Sequence, residues 1–149
     1  MLLNACYWGS ISCIATMYEK FGNRLLEYKI FPSLFLSTDH KMVRDFQEMS
    51  PIHVACLKNR VGILKYLYNR DPNQLKLYAV RRDIPSIPVN PLYCAAIAGH
   101  LDLVKLLHNL DKDQIWDNPL LRFKISPEHL QIRQFIWNEL CASHPQRRS

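Results

Sequence analysis

The stretch that decides how this chain folds is Asn90-Pro91-Leu92-Tyr93-Cys94-Ala95-Ala96, which runs on through Gly99-His100 into Leu101-Asp102-Leu103-Val104-Lys105-Leu106-Leu107. It has an altered twin in Ser50-Pro51-Ile52-His53-Val54-Ala55-Cys56, which is followed by Val61-Gly62-Ile63-Leu64-Lys65-Tyr66-Leu67. Pro91 stands 40 residues after Pro51. In each copy a short apolar run opens on proline, meets a turn at Asn59 or Gly99, and gives way to a second apolar run. The register extends further, since Leu67, Asn69, Asp71 and Gln74 return as Leu107, Asn109, Asp111 and Gln114. Moving back 50 residues from the middle copy finds a third unit. There Ala5-Cys6 aligns with Ala55-Cys56, Gly9 with Asn59, Ile11 with Val61, Ile14 with Leu64 and Tyr18 with Tyr68. Self-similarity of this kind predicts an all-α solenoid of stacked helix-turn-helix units sharing one core. It also predicts that function lies on a surface rather than in a catalytic pocket.

These residues resemble the ankyrin repeat, whose signature runs close to T-P-L-H-x-A-A-x-x-G. Ser50 stands where threonine is usual, and Pro51, Ile52, His53 and Ala55 match. The later copy keeps Pro91, Leu92, Ala95, Ala96 and Gly99-His100, with Tyr93 in place of the histidine. The resemblance implies a structural role for His53, hydrogen-bonding neighbouring backbone between repeats. It departs in period, because the family repeats at about 33 residues and these units are 50 and 40 apart. The surplus falls around residues 27–49 and 77–89, where the family carries its projecting finger loops. Length added in such loops costs stability slowly, and loops often carry function.

One domain over residues 1–149 follows, with units at about 1–30, 50–76 and 90–116. The first unit lacks the Pro-Leu opening, which suggests a divergent cap or a fragment of a longer array. In that unit Ser10 is a natural N-cap for a helix through Tyr18, and Gly22-Asn23 is a natural stop. Ser37-Thr38-Asp39 could cap an inserted helix through Glu48, with Met42, Val43 and Phe46 as its apolar side. Pro85 and Pro88 favour an extended finger. A C-terminal capping helix is expected at about 126–142, with Ser126 as N-cap and Pro127 at the first helical position. Leu130, Ile132, Phe135, Ile136 and Leu140 would form its apolar face, and Gln131, Arg133, Gln134, Asn138 and Glu139 its wet one.

The chain is 48% apolar with a net charge of +6 and a pI of about 9.2. That composition describes a soluble globular chain. No apolar run reaches the roughly 20 residues of a membrane span, and Met1-Leu2-Leu3-Asn4-Ala5 reads as repeat rather than signal peptide. The basic residues are scattered, with tight pairs only at Arg81-Arg82 and Arg147-Arg148. A nucleic-acid partner is therefore not expected. The five cysteines, at 6, 13, 56, 94 and 141, read as free thiols. Those in the first helices pack as small hydrophobes, which fits a reducing compartment, cytoplasm or nucleus.

His53 and Cys56 lie on one helical face, as a base and a nucleophile would. Packing is the stronger reading, given the family position of His53. His53-x-x-Cys56 and Cys141-x-x-His144 supply four zinc-type ligands, but a whole unit separates them and stacked repeats touch only neighbours. Asp111 and Asp113 read as turn chemistry. No phosphate loop or metalloprotease motif is present. No catalytic, metal or cofactor site is expected.

Ankyrin proteins are typically protein-binding scaffolds that use a concave face of finger loops and first helices. The resemblance therefore implies a non-enzymatic interaction module contacting its partner through Tyr7, Trp8, Leu57, Lys58, Arg81 and Arg82. Tyr7 and Trp8 suit binding anchors, and Arg81-Arg82 suits a partner with an acidic surface. The alternatives are a targeting or substrate-recognition segment of a larger protein and a Cys/His-dependent enzyme.

Overall fold

A computed structural model gives the fold over residues 11–22, 45–117 and 129–143. Helix α1 (Ile11–Phe21) buries Ile14 and Tyr18, one turn apart on one side. It stops at Gly22, whose φ of 67° only a residue without a Cβ takes freely. Strand β1 (Phe46–Glu48) follows, where an inserted helix through Glu48 was expected. Phe46 is fully buried there, and residues 23–44 lie outside the described set.

The two proline openings each start a seven-residue inner helix, α2 (Pro51–Leu57), with its outer partner α3 (Val61–Arg70), and later α4 (Pro91–Ile97), with α5 (Leu101–Leu110). Proline suits the first helical position because that N–H has no intrahelical partner to lose. Both inner helices end in the same left-handed turn. Asn59 takes φ 57° and Gly99 φ 85°. The next residue then closes the turn, Arg60 N–H on the Ala55 carbonyl at 2.8 Å and His100 N–H on the Ala95 carbonyl at 3.1 Å. Every residue of α2 is buried, and α4 is buried from Pro91 to Ala96. The small residues Ala55, Cys56, Cys94, Ala95 and Ala96 let these helices stack closely. Their contact is the centre of the core, which Leu64, Leu67, Val104 and Leu107 complete from the outer row.

After α3 a 3-10 turn at Pro72–Lys76 is capped by Asp71, whose Oδ1 accepts the Asn73 N–H at 3.0 Å. Asp111 caps the matching turn after α5 by accepting the Asp113 N–H at 3.1 Å, the turn chemistry expected of that pair. The finger between the units then emerges as strand β2 (Val80–Arg81), antiparallel to β1 with Phe46 opposite Arg81 and Glu48 opposite Val80. A bridge between Ala79 and Val89 closes the root of the loop. The two long insertions thus support one another.

Past the short α6 (Gln114–Asp117), the C-terminal helix α7 (Leu130–Ser143) packs on α5 and α6. Its expected capping residues Ser126 and Pro127 lie outside the described residues. Gly99 adjoins His129, Lys105 lies over Phe135 and His108 meets Glu139. These pairs advance together along both chains, so α7 runs parallel to α5. Helices α1 and α3 are related the same way, Ile11 adjoining Gly62 and the Tyr18 ring lying tilted against that of Tyr66, 5.8 Å between centroids. Helix α7 therefore holds the place of one more outer helix. Two expectations for it are corrected. Leu130 is 63% exposed rather than packed. Glu139 is drawn to His108 rather than left in water, because α5 presents a buried imidazole at that level. Among the described residues no helix is long and apolar enough to cross a membrane.

Candidate functional site

The finger is anchored from below by the starts of the inner helices. An opening turn leaves N–H groups without partners, and a buried one must be answered. At α2 the answer is His53. Its Nδ1 accepts the Ser50 N–H at 3.0 Å, and its Nε2–H donates to the Leu77 carbonyl at 3.1 Å. Leu77 is the residue from which the finger departs. Burial pulls His53 down to about 4, overriding the two backbone hydrogen bonds that work the other way. The ring is therefore neutral and both of its nitrogens are committed.

At α4 the answer is an amide pair. Asn90 Oδ1 accepts the Tyr93 N–H at 2.9 Å, and Asn90 Nδ2 donates to the Gln114 carbonyl at 2.7 Å. Gln114 Oε1 accepts the Leu92 N–H at 3.1 Å, while its Nε2 donates to the Leu107 carbonyl at 3.2 Å. Tyr93, standing at the histidine position, is released from capping. Its hydroxyl accepts a hydrogen bond from Arg81 at 3.3 Å.

Arg81 is the centre of the finger. Its guanidinium lies over the rings of Phe46 and Tyr93, 5.7 and 6.0 Å from their centroids. The same group grips Asp83 with two nitrogens, at 2.8 and 3.3 Å. Hydrogen bonding to Arg81 holds the Asp83 carboxyl below the usual carboxylate range. Arg81 ends β2 and Asp83 lies in the bend just after it, which brings the carboxylate back onto the guanidinium. An arginine followed two residues later by an aspartate is the sequence signal for this pair. Arg82, between them, is exposed. Its N–H bonds the Asp45 carbonyl at 3.1 Å, and its Nε lies 3.4 Å from the Phe46 carbonyl.

The six expected contact residues therefore fall into three groups. Arg81 ends β2 and Arg82 follows it, with the Arg81 side chain only 17% exposed and Arg82 open to solvent. Lys58 is half-buried at the end of α2, but Leu57 is 2% exposed and faces the core. The Leu57 carbonyl is taken by His100 Nε2–H at 2.9 Å, so the residue ties the next unit rather than offering a side chain. Tyr7 and Trp8 lie outside the described residues.

His53 and Cys56, the candidate base and nucleophile, are packed away. Cys56 is fully buried, and burial pushes its thiol well above the usual range; Cys94 is raised for the same reason. A thiol so held is not the reactive thiolate, and His53 has no free nitrogen to accept its proton. Nor can His53 ligate zinc through either nitrogen. Among the described residues no three histidine, cysteine, aspartate or glutamate side chains gather as metal ligands.

Residues 2–115, over three quarters of the chain, match the ankyrin repeats, in three copies. The chain belongs to the ankyrin-repeat family. That family is generally one of protein–protein interaction modules and is typically non-enzymatic. No curated protein matches the chain.

Proposed function

We propose that this chain is a non-enzymatic module that takes a partner protein on its concave face. Arg81, Arg82 and Lys58 supply the positive contacts, and Tyr7 and Trp8 supply the aromatic ones. Leu57 supports that face from beneath. The observation that carries the reading is the fixed finger. Strand β1 braces β2, two aromatic rings hold Arg81 in place, and Arg82, tied through Nε to the Phe46 carbonyl, stands exposed beside it. A side chain ordered beforehand loses less freedom on binding, and an arginine fork favours carboxylate. The partner is accordingly one with an acidic surface. Cys13, Cys56, Cys94 and Cys141 carry free thiols, which supports a reducing compartment, cytoplasm or nucleus.

The test is capture from cell lysate with wild type, Trp8→Ala/Arg82→Glu, and Lys65→Glu as a control. Lys65 is exposed on the outer helix α3, so its reversal changes charge equally away from the finger. A protein held by wild type and Lys65→Glu but lost from the double variant supports the face. Equal capture by all three removes Trp8 and Arg82 from it.

A further inference from the structure

The tip of the finger reads Arg82-Asp83-Ile84-Pro85-Ser86-Ile87-Pro88. It holds two isoleucine-proline pairs three residues apart, with Arg82 three residues ahead of the first proline. Three residues make one turn of a polyproline II helix. In that conformation Arg82, Pro85 and Pro88 form one ridge, and Ile84 and Ile87 form the next. Domains that read such helices offer an aromatic-lined groove. In those of the SH3 type, two neighbouring pockets each take an apolar-proline pair, and carboxylates beside them take a cation three residues from the nearer proline. This run meets those requirements in the order cation, pair, pair. No Lys or Arg follows Pro88 until Lys105, so only one orientation is open to it.

The structure presents the run at the surface. Arg82, Asp83, Pro85, Ser86 and Pro88 are exposed, whereas Ile84 and Ile87 are half-buried against the core. Exposure therefore already follows a period of three. The base of the finger is fixed by β1 and by the Ala79–Val89 bridge, whose two bonds are 2.7 and 2.9 Å. The tip is held less firmly. It folds over in a turn closed by the Ile87 N–H on the Ile84 carbonyl at 3.3 Å, and the two prolines have no N–H with which to add another bond. Turn and polyproline helix are alternatives for the same residues, because the turn bends Pro85-Ser86 back and the helix extends them. Opening gives up one long hydrogen bond and the partial cover of two isoleucines. A groove that accepts both isoleucine-proline pairs restores that cover. Arg82 stands at the edge of the tip, its Nε 3.4 Å from the Phe46 carbonyl and its terminal nitrogens without a partner among the described residues.

We propose that residues 82–88 are a ligand for an SH3-type domain, which opens the turn, takes the two isoleucine-proline pairs in its aromatic groove and meets Arg82 with its carboxylates. A chain of net charge +6 is drawn toward such an acidic rim. This ligand shares Arg82 and an acidic partner with the proposed interaction face, and to that extent rests on that reading of the finger. It needs neither Lys58 nor the aromatic pair Tyr7 and Trp8.

The test is calorimetric titration of the full chain with an isolated SH3 domain selective for ligands whose arginine precedes the prolines. Wild type is expected to bind. Pro85→Ala, Pro88→Ala and Arg82→Glu are each expected to raise Kd at least about tenfold, with unchanged circular dichroism since all three positions are exposed. Trp8→Ala is expected to shift it by under about twofold. An SH3 domain selective for the reverse orientation is expected not to bind. A synthetic peptide of residues 79–90 is expected to bind at least as tightly as the chain, because it has no folded turn to open. Binding by the peptide with none by the chain overturns the proposal, since the turn then keeps the run closed. So does chain binding that survives Pro85→Ala, or a preference for the reverse-orientation domain. Proline-dependent SH3 binding beside lysate capture that ignores Trp8→Ala keeps this ligand and drops the concave face. The reverse pair of results keeps the concave face and drops this ligand.

Discussion

Helix α2 opens on Ser50-Pro51 and is closed by a histidine, whereas α4 opens on Asn90-Pro91 and is closed by an asparagine and a glutamine. Both arrangements answer the same orphan N–H groups, yet they tie the helix to different things. His53 reaches the Leu77 carbonyl at the root of the finger, and Asn90 and Gln114 clasp each other across the turn after α5. The difference shows that exchanging histidine for Tyr93 is not decay of the repeat. It moves the cap to other side chains and frees an aromatic hydroxyl to hold Arg81. One unit uses its signature position to anchor the finger's base, the next to brace the strand the finger forms.

If that division holds, the two caps have unequal worth. His53→Ala removes two hydrogen bonds and a ring from a fully buried site, leaving the Ser50 N–H and Leu77 carbonyl without it. The expected loss is about 3–5 kcal/mol by urea denaturation. Asn90→Ala should cost less, about 1–3 kcal/mol, because Gln114 still accepts the Leu92 N–H. An equal or greater loss at Asn90 would reverse the ranking.

Acid should separate the units next. Burial lowers His53 in the folded chain to about 4, against an unfolded value of 6.5. Between those values the unfolded chain binds the proton and the folded chain does not. Stability is thus fully present above pH 6.5 and falls as pH drops toward 4, by about 3 kcal/mol at most from this group. His53→Gln should lose that part of the slope. Hydrogen exchange near pH 4.5 should open α2 and the Leu77 region before the Asn90–Gln114 clasp. Simultaneous opening would mean that the stacked inner helices behave as one unit regardless of their caps.

The two left-handed turns offer a smaller contrast. Gly99→Ala meets both a φ of 85° and the His129 ring, which a Cβ would approach to 2.6 Å. The backbone cost is about 1–2 kcal/mol, with a further loss of protection in α7 as His129 moves. Asn59→Gly relieves an already tolerated conformation at some entropic cost, so its midpoint should move by under about 0.5 kcal/mol.

What was legible in the sequence follows from which interactions are local. The proline openings, the Asn59 and Gly99 turns and the Asp71 and Asp111 caps are settled within a few residues, and each reads directly from the chain. The structural role of His53 was legible only through the family pattern, since its partner Leu77 lies 24 residues away. Strand β1 was not legible. Met42, Val43 and Phe46 share a helical spacing, while the partner that makes Phe46–Glu48 a strand is β2, more than thirty residues on. Leu57 was misplaced for the opposite reason, its position in the repeat outweighing the plain expectation that a leucine beside a turn is buried. On α7, Leu130 was counted with the core because its neighbours are apolar. Only the direction from which α5 approaches decides which flank is covered.

A further modest effect bears most directly on the finger. Tyr93→Phe removes the hydroxyl that Arg81 reaches at 3.3 Å and leaves both the ring beneath the guanidinium and the Asp83 grip intact. The expected change is about 0.5–1 kcal/mol. A single variant cannot separate that bond from altered packing, so the measurement is a double-mutant cycle with Arg81→Ala. Coupling of that size would establish that the tyrosine at the histidine position braces the finger. Zero coupling would leave β2 held by its pairing with β1 and by Asp83 alone. Tyr93 would then be a packing residue, and the two units would differ only in how they cap their helices.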